Sequence, residues 1–493
     1  MVAPGRSPSL AGRALLAVGL MAGFYLLAVG IAALLVWLPI LDVRTTHHVH
    51  ARVWLGCFLA AGVILWSVMP RWDRFPEPGV RLLETEQPEL FAEIHKIAAA
   101  AGQRQPAEVY LVADVNAFVA QRGGCMGFFS RRVLGIGLPL LRVMTRDQVR
   151  GVLAHEFGHF HGSDTRLGPW IYKTRAAIGR TVTSLLRVGS IISYPFRWYG
   201  LLYLRITHAI SRAQEFAADR FAATLVGSEP LIAGLRQLPA ASLLFDLYWR
   251  DELAPLLAAG RRPPIAAGFQ RFLRAKDMQA FGDQALEAAM QAKRADPYDT
   301  HPPIPARIAA VADLPRHAHS DRGDGPALDL LRDVDRLEER LLGFGCGDPH
   351  AAAQLRRIEW EQAGEEVVIV QWREQILKVR QLPGTPLQGV TAGNLPQQAG
   401  RRAAIGRAYG GAELAQEHEE PCGEWVLAMA LGVALHGLGH RVRAEPGEAV
   451  RFDVGAREIA PLPLVNRLFR GEIGAQEWSR TCAELGITDL ALG

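Results

Sequence analysis

Residues 14–41 contain no charged side chain, and residues 53–70 contain none either. At 1.5 Å per helical residue the first run is about 42 Å long and the second about 27 Å, against a hydrocarbon layer of about 30 Å. The pair predicts an N-terminal two-helix transmembrane hairpin over residues 1–75. A cleaved signal peptide has a shorter apolar region and a small-residue cleavage site, so it fits less well. Arg6 and Arg13 precede the first run, and Arg71, Arg74 and Arg81 follow the second, while the loop between them holds Arg44 and Arg52. This bias predicts an inner (cytoplasmic) membrane protein with everything after residue 70 in the cytoplasm.

The chain of 493 residues is long for one core, so two or three modules are expected. Its net charge of +4 makes no case for nucleic acid. Five scattered cysteines without C-x-x-C spacing read as reduced thiols, not metal ligands. After the hairpin, 108–114 and 131–141 are strand candidates. Thr145 and Gln148 fit a capping box that starts a helix at about 146. A second helix is expected at 211–227. The apolar stretch between them, 174–210, is interrupted by Arg180, Arg187, Pro195, Arg197 and Arg205. The arginines oppose a clean span there; a hairpin on the membrane surface, a lid over the cleft, or ordinary core helices all fit.

These boundaries give a mainly α chain with a small β-sheet. A catalytic domain over 76–315 is followed by a linker and amphipathic helix over 316–345. Residues 346–493 form a C-terminal α/β region of unknown role, with a hairpin at 440–455.

The chemistry concentrates in "VLAHEFGHFHGSD", residues 152–164. His155 and His159 are one helical turn apart, the separation at which two imidazoles can meet one tetrahedral zinc ion. Glu156 projects beside them, where it can take a proton from water. A third ligand is required. The extended motif would place a histidine at 165, where the chain has Thr165, and His161 points to a different helical face. Downstream, Glu215 is followed one turn later by Asp219. In isolation these read as a solvated acidic face with Arg212 and Arg220; after H-E-x-x-H, Glu215 is favoured as ligand, with Asp219 accepting a histidine N–H. "HHVH" at 47–50 and "HGLGH" at 436–440 are read as incidental, the second because glycines spoil its helix.

In combination, "VLAHEFGHFHGSD", "SRAQEFAADRFA" (211–222), "NAFVAQRGG" (116–124) and "THPPIPARIAA" (300–310) resemble the HtpX/CAAX-prenyl-protease family of membrane zinc metallopeptidases, over about residues 10–312. The resemblance implies a gluzincin-type fold with one Zn²⁺ per chain on His155, His159 and Glu215. It implies Glu156 as general base, Asp219 supporting a ligand histidine, and Asp164 as a structural motif residue. It also implies His301 and Arg307 at the cleft, with His301 as oxyanion stabiliser. The expected partners are the bilayer and protein or peptide substrates, membrane-associated, with a role in membrane-protein quality control. The strand at 131–141 could hold substrate by strand addition, or be an interior strand. The competing reading is a catalytically silent zincin-fold scaffold.

Overall fold

Both charge-free runs are helices: α1 spans Leu10–Thr46 and α2 Ala51–Val68. Each is long and apolar enough to cross a membrane. The computed structural model describes residues 10–69, 76–124, 130–160, 168–187, 191–291, 301–316, 324–348, 350–382, 384, 386–411 and 413–492. Most of these residues are helical, with small sheets. Met1–Ala241 with Ala285–Asp333 form one compact unit, and Ser242–Gln284 with Val334–Gly493 form a second.

In the first unit, strand β1 (Val80–Leu82) leads to helix α3 (Pro88–Ala100), then β2 (Glu108–Val112), β3 (Ala117–Arg122) and β4 (Arg131–Gly137). The sheet order is β1-β2-β4-β3: β4 pairs parallel with β2 and antiparallel with β3. The 131–141 segment is therefore an interior strand only to Gly137. Pro139 then starts the short helix α4 (Leu138–Val143), a position where a missing N–H costs nothing.

Helix α5 (Arg146–Gly158) begins with the expected capping box. Thr145 Oγ1 accepts from Gln148 N at 3.3 Å, and Thr145 N donates to Gln148 Oε1 at 3.0 Å. Arg150 ties α5 to α3 through two 2.8 Å hydrogen bonds to the Glu93 carboxylate, both side chains being buried. Arg150→Ala leaves that carboxylate buried and unpaired, a loss of about 3–5 kcal/mol. A drop of several degrees in the thermal midpoint of detergent-solubilised protein is expected. An unchanged midpoint would show that water takes the place of the guanidinium.

The arginine-broken segment becomes two long helices, α6 (Gly168–Arg187) and α7 (Ser193–Val226). Pro195 does not break the chain because it lies in the first turn of α7, where its N–H would have no helical partner anyway. The second helix, expected to start at 211, thus starts at 193. Helices α6 and α7 share a buried apolar cluster with α1 and α2, including Phe24, Ala28, Ala61, Ile64, Ile178, Leu185, Phe196 and Tyr203. The sequence boundary between the units, after Ala241, falls within helix α8 (Ser228–Leu247).

The second unit takes in α9 (Ala254–Ala258), β5 (Arg261–Arg262), α10 (Ile265–Arg274) and the start of α11 (Lys276–Gln291). After α12 (Ile304–Val311), which belongs to the first unit, come α13 (Val334–Cys346), β6 (Arg356–Arg357), α14 (Trp360–Ala363) and α15 (Ile369–Arg380). Strands β5 and β6 pair parallel. Then follow α16 (Arg402–Gly410), α17 (Glu419–Gly437), β7 (Val442–Arg443), β8 (Arg451–Val454), β9 (Arg457–Ile459), α18 (Pro461–Phe469) and α19 (Ala475–Glu484). The expected hairpin is present as β7–β8, extended by β9 into a three-stranded antiparallel sheet. Residues 426–431 of α17 are buried in this unit's core, within an uncharged run of 11 residues, 425–435, that is too short to span a membrane.

Within this unit Glu338 on α13 is fully buried and accepts the first N–H groups of α10, Ile265 N at 2.8 Å and Ala266 N at 2.7 Å. Burial pushes its carboxyl from 4.5 up to about 7, against the opposing pull of those two donors. The folded unit therefore binds this proton more tightly than the unfolded chain. Its contribution is complete below about pH 4.5 and is lost as pH rises through about 7, a change of about 3 kcal/mol. Glu338→Gln should flatten the fall in thermal midpoint between pH 5 and 7. Parallel curves for variant and parent would remove Glu338 as the cause.

Candidate metal centre and active site

Helix α5 buries Val149, Leu153, Ala154 and Phe157 on one side, and this fixes the direction in which its histidines project. His155 is buried, and His159 follows the last helical residue one turn on. Their Nε2 atoms face each other at 3.1 Å, with the two rings nearly perpendicular. One ligand atom from each of His155, Glu156 and His159 lies within 4.8 Å of the others.

Helix α7 supplies the rest. At Gly158 a Cβ would lie 3.1 Å from the Phe221 ring and 3.2 Å from the Ala218 Cα, so the missing side chain lets α5 and α7 approach closely. That approach carries Glu215 to the histidine pair: its Oε1 is 3.4 Å from His159 Nε2 and its Oε2 is 3.6 Å from His155 Nε2. Asp219, fully buried, lies 2.9 Å from His155 Nδ1. Neither acidic group is on a solvated face.

Asp219 sets the tautomer. A carboxylate accepts only, so His155 Nδ1 is the nitrogen that donates to Asp219, and Nε2 is the one turned to His159. Arg307, on α12, clamps Asp219 with two hydrogen bonds, Nε to Oδ2 at 2.8 Å and Nη2 to Oδ1 at 2.7 Å. Its Nη1 lies 3.5 Å from Glu215 Oε2. His301 is 60% exposed and sits at the mouth, with Nδ1 3.0 Å from Glu215 Oε2. His155, His159, Glu215, Asp219, Arg307 and His301 are therefore brought together. Asp164, like His161 and Thr165, lies outside the described residues.

Electrostatics follow from this packing. Burial, then the neighbouring His155, lowers His159 to about 4, leaving a neutral imidazole able to donate its lone pair. Burial works to raise Glu215, yet His301, His155, His159 and Arg307 together hold it down to about 2. Asp219 is likewise opposed by burial and held below its usual range by Arg307 and His155. Burial raises Glu156 above the ordinary carboxylate range, so its carboxylate is the stronger base. The imidazole nitrogens of His155 and His159 and one carboxylate oxygen converging in a buried site are a donor set that suits a divalent metal ion.

Glu156 also marks a residue that sequence reasoning missed. Its Oε2 accepts a 3.2 Å hydrogen bond from Val119 N on β3. Among the described residues β3 is the sheet edge beside the site, whereas β4 is paired on both sides. Of the two readings of 131–141, the interior strand is the one observed, and the edge next to Glu156 is β3. Ala117–Arg122, AFVAQR, has no apolar–polar alternation that would have marked it as an edge strand.

An H-E-x-x-H helix packed on an E-x-x-x-D helix, with the two histidines and the first acid converging, is the arrangement of a metallopeptidase. The family model described as "Peptidase family M48" matches residues 84–314. The chain is 30% identical over 202 residues to Protease HtpX of Idiomarina loihiensis, covering 37% of this chain and 68% of that protein. It is 27% identical over 229 residues to a Protease HtpX homolog of Bacillus pumilus, with 41% and 74% covered. With Protease HtpX of Tolumonas auensis it shares 26% identity over 285 residues, 50% of this chain and 96% of the relative. No solved structure matches. The chain belongs to peptidase family M48 as an HtpX-like member, a membrane-associated protease.

Proposed function

We propose that the protein is a membrane-anchored zinc metalloendopeptidase whose catalytic site faces the cytoplasm and acts in membrane-protein quality control. The observation that carries this reading is the convergence of His155 Nε2, His159 Nε2 and a Glu215 oxygen within 3.1–3.6 Å, with Glu156 beside them under the edge of β3. These three side chains would hold one Zn²⁺ per chain and leave a position open for water. Bound there, zinc supplies Lewis acidity and brings the pKa of water towards about 7.

The chain's own groups do the remaining work. Glu156 takes the proton from the attacking water and later gives it to the leaving amine nitrogen. Asp219 holds His155 in the tautomer that keeps Nε2 available, and Arg307 holds Asp219. His301 stands at the mouth on Glu215, where its other ring nitrogen can donate to charge developing on the carbonyl oxygen. The backbone of β3 offers N–H and C=O groups to an extended peptide.

Full-length protein in detergent should contain close to one zinc per chain by elemental analysis. Chelation should stop cleavage of a labelled protein, and added Zn²⁺ should restore it. Purified protein without metal and without metal-dependent cleavage would overturn the reading. Reporter fusions at residue 46 and at the C-terminus should give a cytoplasmic signal only at the C-terminus. A cytoplasmic signal at 46 would reverse the orientation.

A further inference from the structure

Between the two site helices the chain carries eight Lys and Arg side chains over 165–214 and not one Asp or Glu. Its described residues lie mainly on α6 and the first part of α7, antiparallel helices that pack on α1 and α2. The depth it reaches can be read from its contacts. Tyr199 donates to Leu20 O on α1 at 2.5 Å, and Phe196 meets the Phe24 ring at 6.4 Å. Moving towards the start of α7 thus means moving further along α1. Helix α6 runs the other way: Arg175 donates to Thr207 at 3.3 Å, and Ile178 sits against Gly200. Thr181 hydrogen-bonds Ser67, next to the last residue of α2, at 2.7 Å. Arg187 lies six residues further, about 9 Å beyond that level. The hairpin therefore passes the end of α2 and runs alongside the apolar part of the anchor.

The surface there is built for lipid. Ile191 is 79% exposed and Trp198 80%, and Leu186, Tyr194, Leu201 and Leu202 are exposed around them. Trp66, at the same end of α2, is 66% exposed. Tyrosine and tryptophan collect at the membrane–water boundary. Arg187, Arg197 and Arg205 are exposed among these apolar groups, and Arg197 stacks on Tyr194. Arginines at this spacing oppose a full crossing, but at shallow depth their long stems let the guanidinium reach the headgroups.

We propose that the ends of α6 and α7, around residues 186–187 and 191–202, form a third membrane element. It enters only the leaflet nearer the catalytic site, and its arginines bind the phosphates of anionic phospholipids there. The occupant follows from continuity with the anchor helices and from the uniform positive charge of the hairpin. The inference rests on the membrane anchoring of α1 and α2, which the test reads separately.

Full-length protein is reconstituted into phosphatidylcholine vesicles containing phosphatidylglycerol and a tracer phospholipid with a diazirine on its acyl chain. After irradiation, adducts are mapped by mass spectrometry. Adducts within 191–202 as well as on α1 and α2 are expected. Adducts on α1 and α2 alone overturn the proposal, and adducts on neither overturn it together with the anchoring it rests on. In native mass spectrometry, the combined Arg187→Gln, Arg197→Gln and Arg205→Gln variant should retain at least about tenfold less phosphatidylglycerol. Its retention of phosphatidylcholine should not change. Equal phosphatidylglycerol retention by variant and parent overturns the phosphate assignment. The three side chains are exposed, so an unchanged helical circular-dichroism signal is the control for folding.

Discussion

Glu156→Gln should lower peptide hydrolysis by roughly 10³-fold or more while zinc content stays near that of the parent protein. The amide keeps the size of the side chain and can still accept from Val119 N, so the packing of α5 against β3 is retained. What it loses is the ability to carry a proton from water to the leaving nitrogen, a step worth about 10²–10⁴ for a positioned base. The measurement is initial cleavage rate at matched zinc loading. A variant that loses zinc in parallel with activity would make Glu156 a structural or ligand residue. Negligible cleavage by both proteins at full zinc loading would instead support the catalytically silent scaffold.

The second large effect is expected at the carboxylate on the other helix. Glu215→Gln removes the anionic member of the donor set and leaves His155 and His159 facing each other without it. Zinc affinity should fall by more than about 100-fold, beyond the 10- to 100-fold expected of Asp219→Asn, which touches the metal site only through His155. Competition with a fluorescent zinc chelator gives both values. If Asp219→Asn proved the more damaging of the two, the metal would have to be held elsewhere.

The parts of this site that could be read directly were those encoded locally. The capping box at Thr145 and Gln148 sets where α5 begins, and one turn between His155 and His159 follows from helical geometry alone. Glu215 could be nominated because E-x-x-x-D is also a one-turn pattern. Pairing across the sheet was not legible. Whether β3 or β4 lies at the edge depends on which strand finds β2, a contact between distant residues that neither segment encodes by itself. The continuity of α7 was hidden because Pro195 reads as a breaker unless the helix start is known. The membership of 242–284 in the second unit was also out of reach, since it depends on contacts between distant residues, among them Glu338 with Ile265 and Ala266 and the pairing of Arg261 and Arg262 with Arg356 and Arg357.

Among the described residues no strand pairs with the outer side of β3, where Val119 N donates to Glu156, and this would bear on selectivity. Backbone amides and carbonyls are the same at every residue, so a strand edge that engages substrate through them reads conformation more than sequence. A natively folded protein has already satisfied those groups within its own helices and sheets and presents little for the edge to pair with. A chain that has lost its tertiary structure offers them along its whole length. With Val119 as part of that edge, discrimination between damaged and intact proteins would need no recognition motif.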